Sequence, residues 1–148
     1  MAPDEVVEIL LVEDNPDDLE LTLSTFREHR LVNCIQVARD GAEALDFLFC
    51  TGDFAGRDPC SSPRLILLDL KLPKVDGLEI LRQVKANPRT REIPVVVLTS
   101  SHLDRDLAEC YRLGVNSYLV KPVGFENFKE AVQRLGHYWL LLNKTPAL

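Results

Sequence analysis

The segment Val6-Val7-Glu8-Ile9-Leu10-Leu11-Val12-Glu13-Asp14-Asn15-Pro16 sets the architecture. A short apolar run of this kind reads as a strand buried on both faces, as parallel strands are. Two acids close the run, Asn15 is a strong helix N-cap, and Pro16 suits the first helical position. Leu19, Leu23 and Phe26 then recur at helical spacing, so the segment predicts a strand that turns through an acidic loop into a helix.

The same order repeats downstream. Apolar runs at Cys34 to Ala38, Leu65 to Leu68, Pro94 to Leu98 and Ser117 to Val120 predict four more strands. Asp40-Gly41-Ala42-Glu43 and Asp76-Gly77-Leu78-Glu79 have the form of capping boxes and open a second and a third helix. A fourth runs from about Leu103 to Leu113, with Gly114 placed to end it in the left-handed conformation. A fifth carries Phe125, Phe128, Val132, Leu135 and Trp139. Such alternation predicts right-handed crossovers and an α/β doubly wound, five-stranded parallel sheet covered on both faces. The stretch Cys50 to Arg64, rich in Gly, Pro, Asp and Ser, reads as a long loop.

Length and composition narrow the class. The 148 residues suit one domain over 1–148. With 23 acidic against 17 basic side chains, the net charge of -6 disfavours non-specific nucleic-acid binding, which depends on Lys and Arg neutralising phosphates. No apolar run approaches the roughly 20 residues that cross a bilayer, and Ile9 to Val12 lies between acids, unlike a secretory signal. A soluble cytoplasmic protein without membrane contact is expected. Cys34, Cys50, Cys60 and Cys110 show no Cys-x-x-Cys spacing and are expected as reduced thiols.

In doubly wound sheets, ligands bind at the carboxyl ends of the strands. There the sequence puts Glu13-Asp14, Asp69, Thr99-Ser100-Ser101 and Lys121-Pro122. Each has a plain reading alone: acids before a helix, a turn acid, a strand-terminal hydroxyl, a solvated amine. Together they place complementary groups from four strands at one edge. Two carboxylates ~4 Å apart repel by roughly 4 kcal/mol at an effective dielectric of 20, so the clustered acids call for a cation. Oxygen ligands and retained water suit Mg²⁺. The chemistry that fits is phosphoryl transfer to Asp69, with the metal and Lys121 neutralising charge and the Thr99 hydroxyl donating to a phosphoryl oxygen.

Val12-Glu13-Asp14-Asn15, Asp69 with Pro73 and Asp76-Gly77, Thr99 with its small followers, and Lys121-Pro122 together resemble the receiver domain of two-component response regulators over essentially the whole chain. The resemblance implies a flavodoxin-like receiver fold with Asp69 as phosphoacceptor. It implies Mg²⁺ held by Glu13, Asp14, Asp69 and the backbone carbonyl of Lys71, a phosphoryl group stabilised by Thr99 and Lys121, and a cis Lys121-Pro122 bond. Tyr118 matches the switch aromatic that moves with Thr99. Lys71 and Ser101 match positions whose side chains border the phosphoryl group and tune its lifetime. A narrower similarity, carried by Glu13-Asp14-Asn15-Pro16, Leu72-Pro73-Lys74, the loop Cys50 to Arg64 and an aromatic C-terminal helix, is to single-domain response regulators paired with bacterial phytochromes. The implied partner is a sensor histidine kinase of that type, a bacteriophytochrome.

After Lys121 one helix and a short tail follow, too little chain for a DNA-reading module, so signalling through protein contacts is expected. Tyr138-Trp139-Leu140-Leu141-Leu142 is apolar around nearly the whole helix circumference, more than one sheet face can cover. It predicts a homodimer through the fourth helix, fifth strand and extended fifth helix, with Tyr138, Trp139 and Leu142 in contact; the alternative is an end folded back on its own domain. Three rival functions stand beside this one. A Mg²⁺-dependent phosphohydrolase of the haloacid-dehalogenase type wants an acid two residues after its nucleophile, where Lys71 stands. A flavin binder wants hydroxyls and N–H groups where Glu13 and Asp14 stand. The last is a receiver-like interaction module that is never phosphorylated. The expectation is a signalling protein rather than an enzyme, with at most slow self-phosphorylation from small donors and slow self-dephosphorylation.

Overall fold

The computed structural model describes residues 7–31, 34–59 and 61–146. The apolar runs form β1 (Ile9–Val12), β2 (Ile35–Ala38), β3 (Leu65–Leu68), β4 (Val95–Thr99) and β5 (Ser117–Val120). They pair in parallel in the order β2-β1-β3-β4-β5. Between them lie α1 (Pro16–Glu28), α2 (Gly41–Phe49), α3 (Gly77–Ala86), α4 (Asp104–Leu113) and α5 (Phe125–Gly136). The sheet is the doubly wound one that the alternation predicts.

Strand residues alternate between two cores because successive side chains leave opposite faces. Leu10, Val12, Ile66, Leu68, Val95 and Val97 pack against Phe47 and Leu48 of α2 and Ile80, Leu81 and Val84 of α3. Ile9, Leu11, Leu65, Leu67, Val96 and Leu98 pack against Leu19 and Phe26 of α1 and Phe128, Val132 and Leu135 of α5. Each fully buried side chain of this size contributes about 1.5–3 kcal/mol. Because the chain leaves β1 toward β2 on one side and β3 lies on the other, the winding reverses between β1 and β3. Beyond Val12 and Leu68, at such a reversal, is where doubly wound sheets bind their ligands.

The caps hold, with one difference. Asn15, Asp40 and Asp76 accept from the amides of Asp18, Glu43 and Glu79 at 3.0, 2.8 and 3.0 Å. The reciprocal half of the two capping boxes does not form. Glu43 accepts from the Arg39 amide at 3.3 Å, and Glu79 is drawn outward by Arg82 and Gln83 at 3.2 and 3.0 Å. Gly77 lies where α3 presses on the end of β3. A Cβ there would come within 2.4 Å of the Asp69 carbonyl oxygen, and its amide donates to the Leu70 carbonyl at 2.7 Å. Gly114 ends α4 at φ +100, as its position predicts.

Other expectations shift. The Lys121-Pro122 bond is trans, since no cis peptide occurs among the described residues; the trans form is the one X–Pro bonds favour. Val6, at the start of the first predicted strand, and Cys60 lie outside the described residues. No disulfide joins Cys34, Cys50 and Cys110. The loop after Cys50 contains a 3₁₀ turn, Gly52–Phe54, and is tied down by Arg57, whose guanidinium lies 4.2 Å over the Phe47 ring while its Nε donates to the Phe47 carbonyl at 2.9 Å. Among the described residues no helix is long and apolar enough to cross a membrane.

The C-terminal extension folds back on its own domain in part and leaves part of its apolar surface uncovered. After Gly136 the helix widens into a π turn, His137–Leu142. Leu140 is 2% exposed within the α1/α5 core, and its carbonyl accepts from Arg64 Nη2 at 2.7 Å. Tyr138, Leu141 and Leu142 are at least half exposed, whereas Trp139 is half-buried and meets Tyr138 edge to face.

Candidate functional site

At the carboxyl edge of the sheet, β1 ends in Glu13, which is buried, and Asp14, which is exposed, while β3 ends in the buried Asp69. The ladder continues one step past each strand and fixes these acids side by side. Glu13 N donates to the Ala38 carbonyl at 3.0 Å and Asp69 N to the Val12 carbonyl at 3.0 Å. Oxygens of Glu13, Asp14 and Asp69 all lie within 4.8 Å of one another.

Lys121 closes the group from the end of β5, where its amide donates to the Thr99 carbonyl at 2.7 Å. Its side chain is only 9% exposed, and Nζ donates to Glu13 Oε1 at 2.6 Å, Asp18 Oδ2 at 2.8 Å and Asp69 Oδ2 at 2.9 Å. Burial lowers the proton affinity of such an amine, but here the three carboxylates outweigh it and raise Lys121 above its ordinary value. Burial likewise pushes Asp69 up, yet Lys121 beside it, with smaller contributions from Glu13 and the Thr99 hydroxyl, holds the carboxyl below the usual range. Glu13 goes the other way. Burial and the neighbouring Asp69 charge push it up to about 7, against the pull of Lys121. Of the two neighbouring carboxyls, Asp69 is thus the more acidic and Glu13 the less.

The remaining predicted residues surround this group. Thr99 is fully buried at the end of β4, and its Oγ1 accepts from the Ser101 amide at 3.3 Å. The Lys71 amide donates to Asp69 Oδ1 at 3.3 Å, which brings the backbone at that position against the acid trio. Tyr118 packs partly against the α2/α3 core, and its hydroxyl donates to the Ser101 carbonyl at 3.2 Å. The Ser101 hydroxyl is occupied elsewhere: it donates to Asp106 Oδ2 at 2.6 Å and accepts from the Leu103 amide at 3.3 Å, both at the start of α4. Asp18 is the functional-site residue that the sequence reading did not pick out. It sits at the third helical position, where an acid ordinarily turns back toward the N-cap, and only the fold brings Lys121 within its reach.

Three acids fit for a divalent cation, a buried amine and a buried hydroxyl thus come together at one edge of the sheet. The response regulator receiver domain family matches residues 9–133. The chain belongs to that family. This receiver is 48% identical over 138 residues to the probable methanogenesis regulatory protein FilR2 of Methanothrix harundinacea, covering 93% of the chain and 86% of FilR2. It is 40% identical to response regulator Rcp1 of Synechocystis over 94% of the chain and 92% of Rcp1. Among solved structures, the Mn²⁺-bound form of Rcp1 superposes with a TM-score of 0.89 at 39% identity, covering 97% of the receiver and 100% of that chain. The phosphorylated cyanobacterial phytochrome response regulator RcpA gives 0.88 at 35% identity, with 96% and 99% covered. The bacteriophytochrome response regulator AtBRR gives 0.72 at 56% identity, with 95% and 99% covered. The receiver is thus related to phytochrome response regulators.

The donor set fits the cation that the family implies. It is all oxygen, with no His or Cys in the group, as a hard divalent ion prefers. The position two residues beyond Asp69, where a phosphohydrolase would carry its acid, holds an exposed lysine, Lys71.

Proposed function

We propose that this receiver accepts a phosphoryl group on Asp69 from a sensor histidine kinase in a Mg²⁺-dependent reaction and signals through protein contacts. The observation that carries the reading is the position of Asp69, shared between the acid trio and the Lys121 ammonium. An Asp69 oxygen forms the bond to phosphorus while the bond to the donor nitrogen breaks, its electron pair staying on the kinase imidazole. Glu13, Asp14, Asp69 and the Lys71 carbonyl would hold the cation, which when bound neutralises charge on the phosphoryl oxygens. Lys121 donates to one of those oxygens and the Thr99 hydroxyl to another. Lys71 and Ser101 modulate the lifetime of the product, and Thr99 with Tyr118 transmits its charge toward α4. The Mn²⁺-bound Rcp1 and phosphorylated RcpA structures support the metal and the phosphorylation.

The test is incubation with acetyl phosphate and Mg²⁺, followed by intact mass. One hydroxylamine-sensitive phosphoryl group is expected on the native chain and none on Asp69→Asn; an equal adduct on both removes Asp69 as acceptor. A phytochrome-type kinase is the proposed donor, supported by RcpA and AtBRR. The identity to FilR2 supports a second reading for the input alone, a kinase of another sensory class.

The exposed Tyr138 and Leu142, with Trp139 beside them, support a homodimer through α4, β5 and the extended α5. Tyr138→Glu with Leu142→Glu leaves the Leu140 anchor in place. Sedimentation is expected to show the doubly substituted chain as a monomer and the native chain as a dimer; an unchanged dimer overturns this surface.

A further inference from the structure

Lys121 has more carboxylate partners than the phosphoacceptor reading uses. An ammonium offers three N–H donors, and Glu13, Asp18 and Asp69 lie at 2.6, 2.8 and 2.9 Å, so each donor has an acceptor. Glu13 and Asp69 belong to the acid trio, but Asp18 does not. It comes from the first turn of α1, its carboxylate is 29% exposed against 9% for the Lys121 side chain, and Lys121 is its one side-chain partner among the described contacts. Its backbone does separate work: the amide donates to the Asn15 cap and the carbonyl accepts from Thr22 Oγ1 at 2.8 Å. The side-chain charge can therefore be removed without uncapping the helix.

We propose that Asp18 is a positioning residue that competes with the incoming phosphoryl group for the Lys121 ammonium and so restrains acylation of Asp69. The inference rests on Asp69 being the phosphoacceptor. With an acyl phosphate as donor, an Asp69 oxygen bonds to phosphorus and the phosphorus–oxygen bond to the carboxylate leaving group breaks, its electron pair departing with that group. The phosphoryl oxygens arrive as anions and need an N–H of Lys121, while Asp18, at the solvent edge, holds one with a full charge of its own. An isosteric amide keeps the shape and the acceptor oxygen but gives up the charge.

At saturating Mg²⁺ and fixed ionic strength, Asp18→Asn is expected to raise the second-order rate of Asp69 phosphorylation by acetyl phosphate by roughly two- to five-fold, the scale of an ion pair with one member at the solvent edge. The gain is expected to vanish in the Lys121→Met background, because the effect acts through that amine; disturbance of α1 would persist there. In metal-free protein the Lys121 ¹⁵Nζ resonance is expected to move in Asp18→Asn. An unaltered or lower rate in Asp18→Asn, a gain that survives Lys121→Met, or an unmoved resonance overturns the proposal. Absence of any adduct on the native chain is a different failure, since it removes the phosphoacceptor reading itself and the restraint with it.

Discussion

Lys121→Met is expected to lower the stability of the metal-free protein by about 3–5 kcal/mol at pH 8, the cost of removing one partner from a buried ion pair. Two effects compete. Deleting the amine recovers the cost of desolvating it, and methionine fills most of its volume. Against this, Glu13 and Asp69 are left buried beside Asp14 with no cation among them. Two carboxylates ~4 Å apart repel by roughly 4 kcal/mol at an effective dielectric of 20, and here all three acids have oxygens within 4.8 Å of one another, so the repulsion wins. Part of it is relieved by further protonation of Glu13, which is already pushed up to about 7. A divalent cation replaces the lost charge, so the deficit is expected to shrink on adding Mg²⁺. Urea unfolding of native and Lys121→Met protein, in chelator and in Mg²⁺, measures both. A variant within 1 kcal/mol of native in chelator would mean that the ion pairs at Lys121 contribute no net stability, following the precedent of buried pairs that hydrophobic residues replace at no loss. The same substitution removes a charged donor from the phosphoryl oxygens, and acetyl phosphate labelling is expected to slow by roughly 10²-fold or more.

The site was legible because its residues end strands. An acid directly after Ile9–Val12 or Leu65–Leu68 has no apolar role, and a parallel sheet must bring strand ends together, so Glu13, Asp14, Asp69, Thr99 and Lys121 could be gathered from apolar runs alone. The helix starts were legible from Asn15-Pro16 and the two Asp-Gly pairs, whose caps depend on near neighbours in the chain. What escaped depends on distant geometry. Asp18 has the sequence context of any first-turn helix acid, and its contact with Lys121 spans 103 positions. The reciprocal capping bonds are absent because Glu43 takes the Arg39 amide instead, and Arg82 and Gln83 draw Glu79 to the solvent side. The C-terminal helix misled in phase rather than in kind. Gly136 lies so close to α1 that a Cβ would come within 2.7 Å of Leu31 and 2.8 Å of Phe26, and the π turn that follows shifts the pattern by about one residue per turn. Leu140 is thereby buried and Leu142 exposed, a division that 3.6-residue periodicity does not draw.

Metal-free protein is expected to lose stability as pH rises from about 4.5 to about 7. The cause is Glu13, raised from 4.5 to about 7 chiefly by burial and further by the charge of Asp69. A carboxyl whose folded value lies above its unfolded one binds its proton more tightly when folded. Its contribution is complete below the unfolded value and is lost as pH climbs through the folded one. At about 1.4 kcal/mol per pKa unit, the shift amounts to roughly 3 kcal/mol. Asp69 is shifted in the opposite sense, so its contribution is present above its unfolded value of 3.8 and is lost only in stronger acid, outside this window. Lys121, raised above 10.5, contributes throughout and is lost only in alkali. Other groups titrate between pH 5 and 8, so the quantity to follow is the difference between native protein and Glu13→Gln, which cannot ionise. Chemical unfolding in chelator is expected to show the native chain losing stability relative to Glu13→Gln across the window; parallel curves would mean that Glu13 is already ionised at pH 5. The cation reverses the balance, because the Glu13 oxygen can serve as a full anionic ligand only after its proton has left, so proton and metal compete. Stabilisation by millimolar Mg²⁺ is accordingly expected to be small at pH 5.5 and large at pH 8, approaching about 2.7 kcal/mol where the ion stands at a hundred times its dissociation constant.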